Sequence, residues 1–415
     1  MNPAPRIFGH QVNPTLLLAV ICLAGWMACV LWPKILTSLG IIAYGLTYLD
    51  SYAILAALDA VRAGQDPHAV NPLDTLGRWH VYSDWWLALR WLGVGRAENF
   101  LVGSTWVGTF ALSCWLAVKP RNLREAAWMA AMLLSPPFLL AFLRANNDLV
   151  ILVLLVLCGV AITGTGCLRQ LLGAGLLVLA TGLKYYPATA AAAFLWTRPL
   201  RRMPVLLALA GAGVALTLLD VWPQMARARF RIDSGVHTMG APLLGRDLGW
   251  SDQTSQWLSL FVLALGAWGL VRGRFTTGLA SRGEPRERML AVMGAIPLLA
   301  CFMAGVNYAY RWIFVFWIAL WLWRQAAPGA GTVREIRTAR TACVLLMLCL
   351  WLDGALCFAC NRILSLTPAQ FAALDVPWRL FTQPLQWVLM MLLAGWLLEG
   401  ALATVKEWWN LRHET

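Results

Sequence analysis

Charge is scarce in this chain. Of 415 residues only 13% are Asp, Glu, Lys or Arg, while 60% are hydrophobic. Soluble domains run nearer about 25% charged and about 45–50% apolar, so a water-soluble enzyme and a disordered chain are both excluded. No hydrophilic stretch is long enough to fold as a soluble domain alone, and no internal repeat is present. A disulfide framework is also lacking. The 10 Cys sit mostly inside apolar segments, as Cys22, Cys114, Cys158, Cys301 and Cys343 do, and read as small buried hydrophobes. Cys357 and Cys360 make a C-x-x-C, but no His lies near them in sequence, which argues against a metal site. No D-x-D pair accompanies the carboxylates of the first long loop. No cofactor is expected; a divalent metal stays open but is not favoured.

What the chain does have is long apolar runs. A membrane-spanning helix needs about 20 apolar residues, and the runs divide into twelve: 15–36, 100–118, 126–143, 148–163, 169–183, 186–197, 203–222, 256–272, 289–305, 311–323, 340–360 and 384–404. Runs 169–183, 186–197 and 311–323 are short for a full span and suit broken helices packed inside protein. The 24 Trp fit the same class, because Trp gathers at membrane–water interfaces. The fold class expected is an all-α polytopic membrane protein, residues 1–415 forming one transmembrane domain. The first run lacks a small-residue cleavage signal and reads as an uncleaved anchor. The net charge of +13 is scattered between apolar runs rather than gathered on one face, so nucleic acid is not expected as a partner.

Loop charges order the topology. Lys119, Arg121 and Arg124, then Arg198, Arg201 and Arg202, then Arg272 to Arg288, then Arg334, Arg337 and Arg340 fall in alternate loops. The positive-inside rule places those loops and both termini in the cytoplasm. All twelve Asp then lie outside or in outer helix halves, and every Glu except Glu98 lies inside. Two outer loops are long, 37–99 and 223–255. In the first, residues 51–63 put Ile54, Leu55, Leu58 and Val61 on one helical face with Asp59 off it, and 84–92 carry Trp85, Trp86 and Trp91. Both segments are expected to lie as helices along the outer surface.

Polar candidates gather on that outer side. Asp50 opens the first surface helix, either as an N-cap or as a base within reach of a hydroxyl. Arg144, Asn146, Asn147 and Asp148 form a tight turn, after Pro136 and Pro137 interrupt a helix. Such a turn uses Asn and Asp for its own geometry, yet four polar groups there also suit a sugar. Lys184, ahead of Tyr185, Tyr186 and Pro187, is an outer Lys that the positive-inside rule disfavours; beside a helix break it suits a phosphate. Asn307, Tyr308, Tyr310 and Arg311 precede the 311–323 run. An interfacial belt accounts for the Tyr but not for the Arg. Asp59, Asp66 and His237 are further candidates, although His237, with His68 and His80, has no metal-motif spacing.

These residues resemble a family. Asp50, Ala57, Gly64, Asp66 and Pro67 fall at the spacing of the first outer loop of the family 87 glycosyltransferases, GT-C-type enzymes that include polyprenyl-phosphate-mannose-dependent mannosyltransferases. Ile54 stands where that family has Tyr, with Tyr52 two residues before it. His68 replaces a second Tyr, and Tyr82 has no following Pro. Arg144-Ala145-Asn146-Asn147-Asp148 is similar to an R-G-N-x-D turn of related bacterial membrane proteins, Lys184 to Pro187 to a K-x-Y-P element, and Asn307 to Arg311 to N-Y-x-Y-R. The similarity covers about residues 45–315.

The resemblance implies a GT-C-like fold in a bacterial cytoplasmic membrane. It implies inverting transfer of a sugar from a polyprenyl-phosphate donor to a lipid or glycan acceptor on the outer face. Asp50 would be the base. Lys184 and Arg311 would hold the donor phosphate, and Asn146, Asp148, Asn307, Tyr308 and Tyr310 the sugar and acceptor. Two other readings stand beside it. Twelve helices also suit a transporter or flippase of lipid-linked sugars, although no two-fold repeat of helix lengths supports it. A non-catalytic partner in cell-envelope assembly is the third.

Overall fold

The computed structural model describes residues 6–7, 10–11, 13–41, 46–117, 119–227, 235–276 and 282–413. Among them, strands are confined to two short antiparallel pairings, Arg6–Ile7 with His10–Gln11 and Thr238–Met239 with Asn307–Tyr308. The rest of the regular structure is helical, as expected of an all-α membrane protein. Six described helices are long and apolar enough to cross a bilayer: Pro14–Leu31, Leu200–Ala226, Asp252–Arg272, Pro285–Ala304, Val333–Ile363 and Pro368–His413. Leu123–Leu133 and Pro136–Arg144, bent by 59°, make a seventh if counted together.

The other expected runs fall on Asn99–Ala117, on the shorter apolar helices Asp148–Ile162 and Cys167–Leu183, on the 3-10 helix Tyr186–Trp196, and on the 3-10 turn Ala309–Phe314 continuing as Val315–Gln325. Length and composition thus establish six or seven spans, short of the twelve expected. The helix expected at 384–404 extends over Pro368–His413, through Pro377 and Pro384.

Local signals explain several boundaries. Asn13 accepts hydrogen bonds from the Thr15 and Leu16 amides, and Pro14 takes the first helical position, where its missing N–H costs nothing. Thr332 and Glu335 form a reciprocal capping box. Pro136 and Pro137 interrupt the expected 126–143 run: the first helix ends at Leu133, and the two prolines open Pro136–Arg144, bent from it by 59°. On Pro14–Leu31, Leu16, Leu23 and Leu31 are 64%, 63% and 61% exposed, an apolar surface that belongs against lipid. The core lies elsewhere, around the almost wholly buried segment Ala309–Leu322, where Trp312, Trp317 and Trp321 pack with Phe302, Phe314 and Phe316.

The loops expected to share the inner face are tied to one another. Arg121 pairs with Glu284 at 3.4 Å and Glu287 at 2.9 Å, Arg324 with Glu125 at 2.8 Å, Arg282 with Glu335 at 2.8 Å, and Arg198 with Glu407 at 2.8 Å. The first long loop is folded as well. It contains the Leu49–Arg62 helix, whose Ile54, Leu55 and Leu58 are fully buried, and the 3-10 helix Asp84–Leu92. Trp86 Nε1 donates to the Leu183 carbonyl at 3.0 Å and Trp85 Nε1 to Asp220 at 2.9 Å. Gly182 is needed beneath Trp85, since a Cβ there would lie 2.2 Å from the indole. The loop is thereby fastened beside Lys184.

Between those helices, His80 is buried. Its Nε2 lies 3.2 Å from the Ser83 carbonyl, and its ring is 5.8 Å from that of His68, whose Nε2 is 3.0 Å from Asp84. Burial pushes the His80 imidazole down to about 4 from an ordinary 6.5. Above pH 6.5 it is neutral in both folded and unfolded chains. Between 6.5 and about 4 only the unfolded chain takes up the proton, so stability falls as pH falls through that window. Thermal unfolding followed by Trp fluorescence from pH 7 to 4.5 is expected to lose midpoint more steeply in the wild type than in His80→Gln.

The topology has its own test. In a Cys167→Ser background, which removes the exposed thiol, single Cys at Leu76 and Leu248 are expected to label from the outside of intact cells. Cys at Arg201 and Arg337 are expected to label only after permeabilisation. Labelling of Arg337→Cys from outside would invert the orientation.

Candidate functional site

Asp50 is not the cap of its helix. Tyr48 holds that position in a left-handed conformation (φ 64°), and Gly103 accommodates its ring, since a Cβ at 103 would lie 2.3 Å from Tyr48 Cδ2. The Tyr48 amide donates to the Leu143 carbonyl at 2.8 Å, which sets the start of this helix beside the end of Pro136–Arg144. Asp50, in the first turn and 2% exposed, is therefore delivered to Arg144. Arg144 Nε donates to both carboxylate oxygens, at 3.1 and 3.0 Å, and Nη2 donates to Oδ1 at 2.8 Å. Asn146 Nδ2 donates to Oδ2 at 2.6 Å, and Arg78 Nη1 stands 3.7 Å from Oδ1.

A second carboxylate lies next to the first. After Arg144 the chain turns through Ala145 in a left-handed conformation (φ 41°), and Asn146 Oδ1 accepts the Asp148 amide at 2.9 Å, an Asx turn. Asn146 thus links the two sites, bonding one carboxylate with its amide nitrogen and holding the other's backbone with its amide oxygen. Asp148 has no exposure. Its Oδ1 accepts from Tyr186 Oη at 2.7 Å, from Arg311 Nη1 at 2.9 Å and from Lys184 Nζ, and its Oδ2 lies 2.8 Å from Arg311 Nη1. Lys184 Nζ also donates to Asn147 Oδ1 at 2.6 Å.

Aromatic faces surround these cations. Arg311 lies 4.4 Å from the Tyr186 ring and 5.7 Å from Tyr310. Arg144 lies 5.4 Å from Tyr308 and 6.0 Å from Tyr310, and Lys184 is 5.6 Å from Tyr82. Three cations, Arg144, Lys184 and Arg311, face two carboxylates, Asp50 and Asp148, while Arg78 is matched by Asp74 at 2.7 Å. One positive charge is left over. Two buried donors here, Asn147 Nδ2 and Arg311 Nε, have no acceptor. Buried polar groups are ordinarily paired; these two can donate to the acceptors of an anionic ligand, and Asp148 Oδ2, likewise without a hydrogen-bond partner, can accept.

The remaining candidates are placed differently. Asn307 donates its amide nitrogen to the Cys301 and Gly305 carbonyls at 2.6 and 3.0 Å, closing the end of the Pro285–Ala304 helix. His237 supports this segment from behind: its carbonyl accepts the Ala309 amide at 2.7 Å, and its Nε2 lies 2.7 Å from the Leu39 carbonyl. The fold also brings His237 Nε2 to 3.9 Å from Cys357 Sγ, a His beside the C-x-x-C that sequence proximity does not supply. Even so, among the described residues no three His, Cys, Asp or Glu side chains converge to hold a metal. Asp59 pairs with Arg62 at 3.0 Å and Arg96 at 2.9 Å, about 13 Å along the helix from Asp50. Asp66 is exposed and accepts the His68 amide at 2.9 Å.

Arg78 was not singled out from the sequence. As an Arg in a loop expected on the outer side it carries the same signal that marks Lys184, a cation where the positive-inside rule disfavours one. Tyr186 and Asn147 were legible only as parts of motifs, and their contacts with Asp148 and Lys184 come from the fold. No family model, no curated protein and no solved structure matches this chain.

Removing one member of a buried ion pair leaves an uncompensated charge and costs about 3–5 kcal/mol. Asp148→Ala, which strands Lys184 and Arg311, is expected to lose about that much, whereas Asp59→Ala at its half-exposed pairs loses under about 1 kcal/mol. Denaturant unfolding in micelles measures both.

Proposed function

We propose that this protein is a membrane glycosyltransferase of the GT-C type. It transfers a sugar from a polyprenyl-phosphate donor to a lipid or glycan acceptor at the outer face of a bacterial cytoplasmic membrane, with both termini inside. The observation that carries the reading is the convergence of Asp50, Arg144, Asn146, Asp148, Lys184 and Arg311 in one buried network, with a surplus positive charge and two donors lacking acceptors. Family motifs read from separate parts of the chain supply all six residues. A donor phosphate gives Arg311 Nε and the Asn147 amide nitrogen the acceptors they lack, and its charge offsets the surplus.

The reaction follows from the groups present. An acceptor hydroxyl oxygen attacks the anomeric carbon, the bond from that carbon to the phosphate oxygen breaks, and its electron pair leaves on the phosphate. Lys184 and Arg311 stabilise that developing charge. Asp50 takes the hydroxyl proton. Both Asp50 oxygens are engaged by Arg144 and Asn146, so the base becomes available when the anionic donor draws Arg144 toward itself. The helix-end position of these residues, at the first residue of Asp148–Ile162 and just after Cys167–Leu183, differs from the mid-span breaks that transporters use. The full engagement of Asp50 favours a second reading, a non-catalytic lipid-binding partner in envelope assembly.

Transfer of radiolabelled sugar from polyprenyl-phosphate sugar in proteoliposomes tests the proposal. Asp50→Asn is expected to keep donor binding and lose turnover by at least about a hundredfold, and Asp50→Asn with Arg144→Gln, which restores neutrality, is expected to lose turnover as well. Asp59→Asn is expected to stay active. Lys184→Met, which leaves Arg311 to neutralise Asp148, is expected to weaken donor binding about thirtyfold or more. Normal turnover by both Asp50 variants overturns the base, and donor binding without any transfer by the wild type selects the non-catalytic partner.

A further inference from the structure

Away from this network, a cavity of about 1150 Å³ opens beside the Val333–Phe358 helix. Val344, Met347, Leu348, Trp351, Leu352 and Ala355 line it at helical spacing, a stripe of partly exposed apolar side chains along one face. The opposite wall holds Trp128 and Trp323, stacked at 4.7 Å between ring centroids. Two of the three Trp are pinned by their indole N–H: Trp128 to the Ala319 carbonyl at 3.1 Å and Trp351 to the Ala131 carbonyl at 3.0 Å. The walls are therefore preformed. From Arg340 to Ala355 the groove runs about 22 Å along the helix, the reach of one lipid acyl chain.

One end of the groove is basic. Arg121, Arg124, Arg324 and Arg340 line it with a single carboxylate, Glu125. Glu125 and Glu287 take Arg324, and Glu284 and Glu287 take Arg121. Arg124 and Arg340 have no carboxylate partner among the described residues; Arg340 spends only its Nε, on the Ala326 carbonyl at 3.1 Å. Both are exposed. An apolar shaft ending in two unmatched guanidinium groups is complementary to an anionic amphiphile.

We infer that this groove is a binding site for an anionic membrane phospholipid, its phosphate held by Arg124 and Arg340 and one acyl chain lying along Val344 to Ala355. The site is separate from the proposed catalytic network and does not depend on that reading. It gives the groove-lining stripe an occupant, and it joins the helices that begin at Leu123 and Val333 through a lipid rather than through side chains alone.

The experiment uses the full chain in nanodiscs with photoreactive phosphatidylglycerol or, as the neutral comparison, phosphatidylcholine carrying the same acyl chains. Crosslinked peptides are mapped by mass spectrometry. Phosphatidylglycerol is expected to label residues 121–128 and 340–355 about thirtyfold more than phosphatidylcholine, roughly fivefold for each Arg. Arg124→Gln with Arg340→Gln is expected to reduce that ratio to near one, and Val344→Trp with Leu348→Trp to suppress labelling by both lipids. Equal labelling of the wild type by the two lipids overturns the proposal, even if the double Arg variant fails to fold. So does efficient crosslinking of Val344→Cys to a second copy with the groove free of lipid.

Discussion

Asp148 is a carboxylate with no exposure at the start of an apolar helix. Taking such a group out of water costs several kcal/mol unless opposite charge and hydrogen bonds meet it. Its partners, Lys184, Tyr186 and Arg311, come from segments 36 to 163 residues away in the chain. Each partner must leave regular helix to arrive. Lys184 sits where Cys167–Leu183 ends, Tyr186 opens a 3-10 helix, and Arg311 stands in the 3-10 turn that follows the Asn307–Tyr308 pairing. The irregular backbone at this end of the molecule is thus bound up with the requirement that one buried charge be neutralised.

Asn146 extends that constraint to Asp50. Its side chain serves both carboxylates, so a shift in the turn moves both. The strap formed by the first long loop adds a third layer: Trp85 and Trp86 fasten it beside Lys184, and Arg78 reaches back to the Leu49 carbonyl at 2.9 Å and to Asp74. What results is a buried polar network with an excess of one positive charge, its cations lying against Tyr faces that hold them without neutralising them. The donor proposed above, a sugar attached to a phosphate, is anionic and so complements that charge.

In the loops expected on the inner face the ion pairs have a different composition. There Glu125, Glu284, Glu287, Glu335 and Glu407 tie Arg121, Arg198, Arg282 and Arg324, with Glu407 supplied by the Pro368–His413 helix. Elsewhere among the described residues apolar packing joins the helices, helped by indole bonds such as Trp128 to the Ala319 carbonyl and Trp351 to the Ala131 carbonyl. Without a hydrophobic drive between helices in lipid, packing and polar contacts must set their arrangement. The two sets of ion pairs therefore act as fixed points, and the groove beside Val333–Phe358 is a place where side chains leave the space between helices open.

The membrane class and the all-helical character were readable from the chain alone, as were the four polar clusters, because hydropathy and loop charge are local properties that survive without tertiary information. Lys184 and Arg311 were legible for the same reason: a cation on the disfavoured side is conspicuous in one dimension. Asp50 was legible as a carboxylate but not as the partner of Arg144, and an Asp that opens a helix reads equally as a cap. Arg78, the bridging role of Asn146, the contact of His237 with Cys357, and the inward-facing work of Asn307 as a helix stop were decided only by the tertiary structure. So was the continuity of the helical runs: packing fixes whether an apolar stretch becomes one long helix, as at Pro368–His413, or a 3-10 segment, as at Tyr186–Trp196. The physical reason is common to all of these. Which polar groups meet depends on how apolar helices pack, and side-chain packing carries no signature that hydropathy along the chain can display.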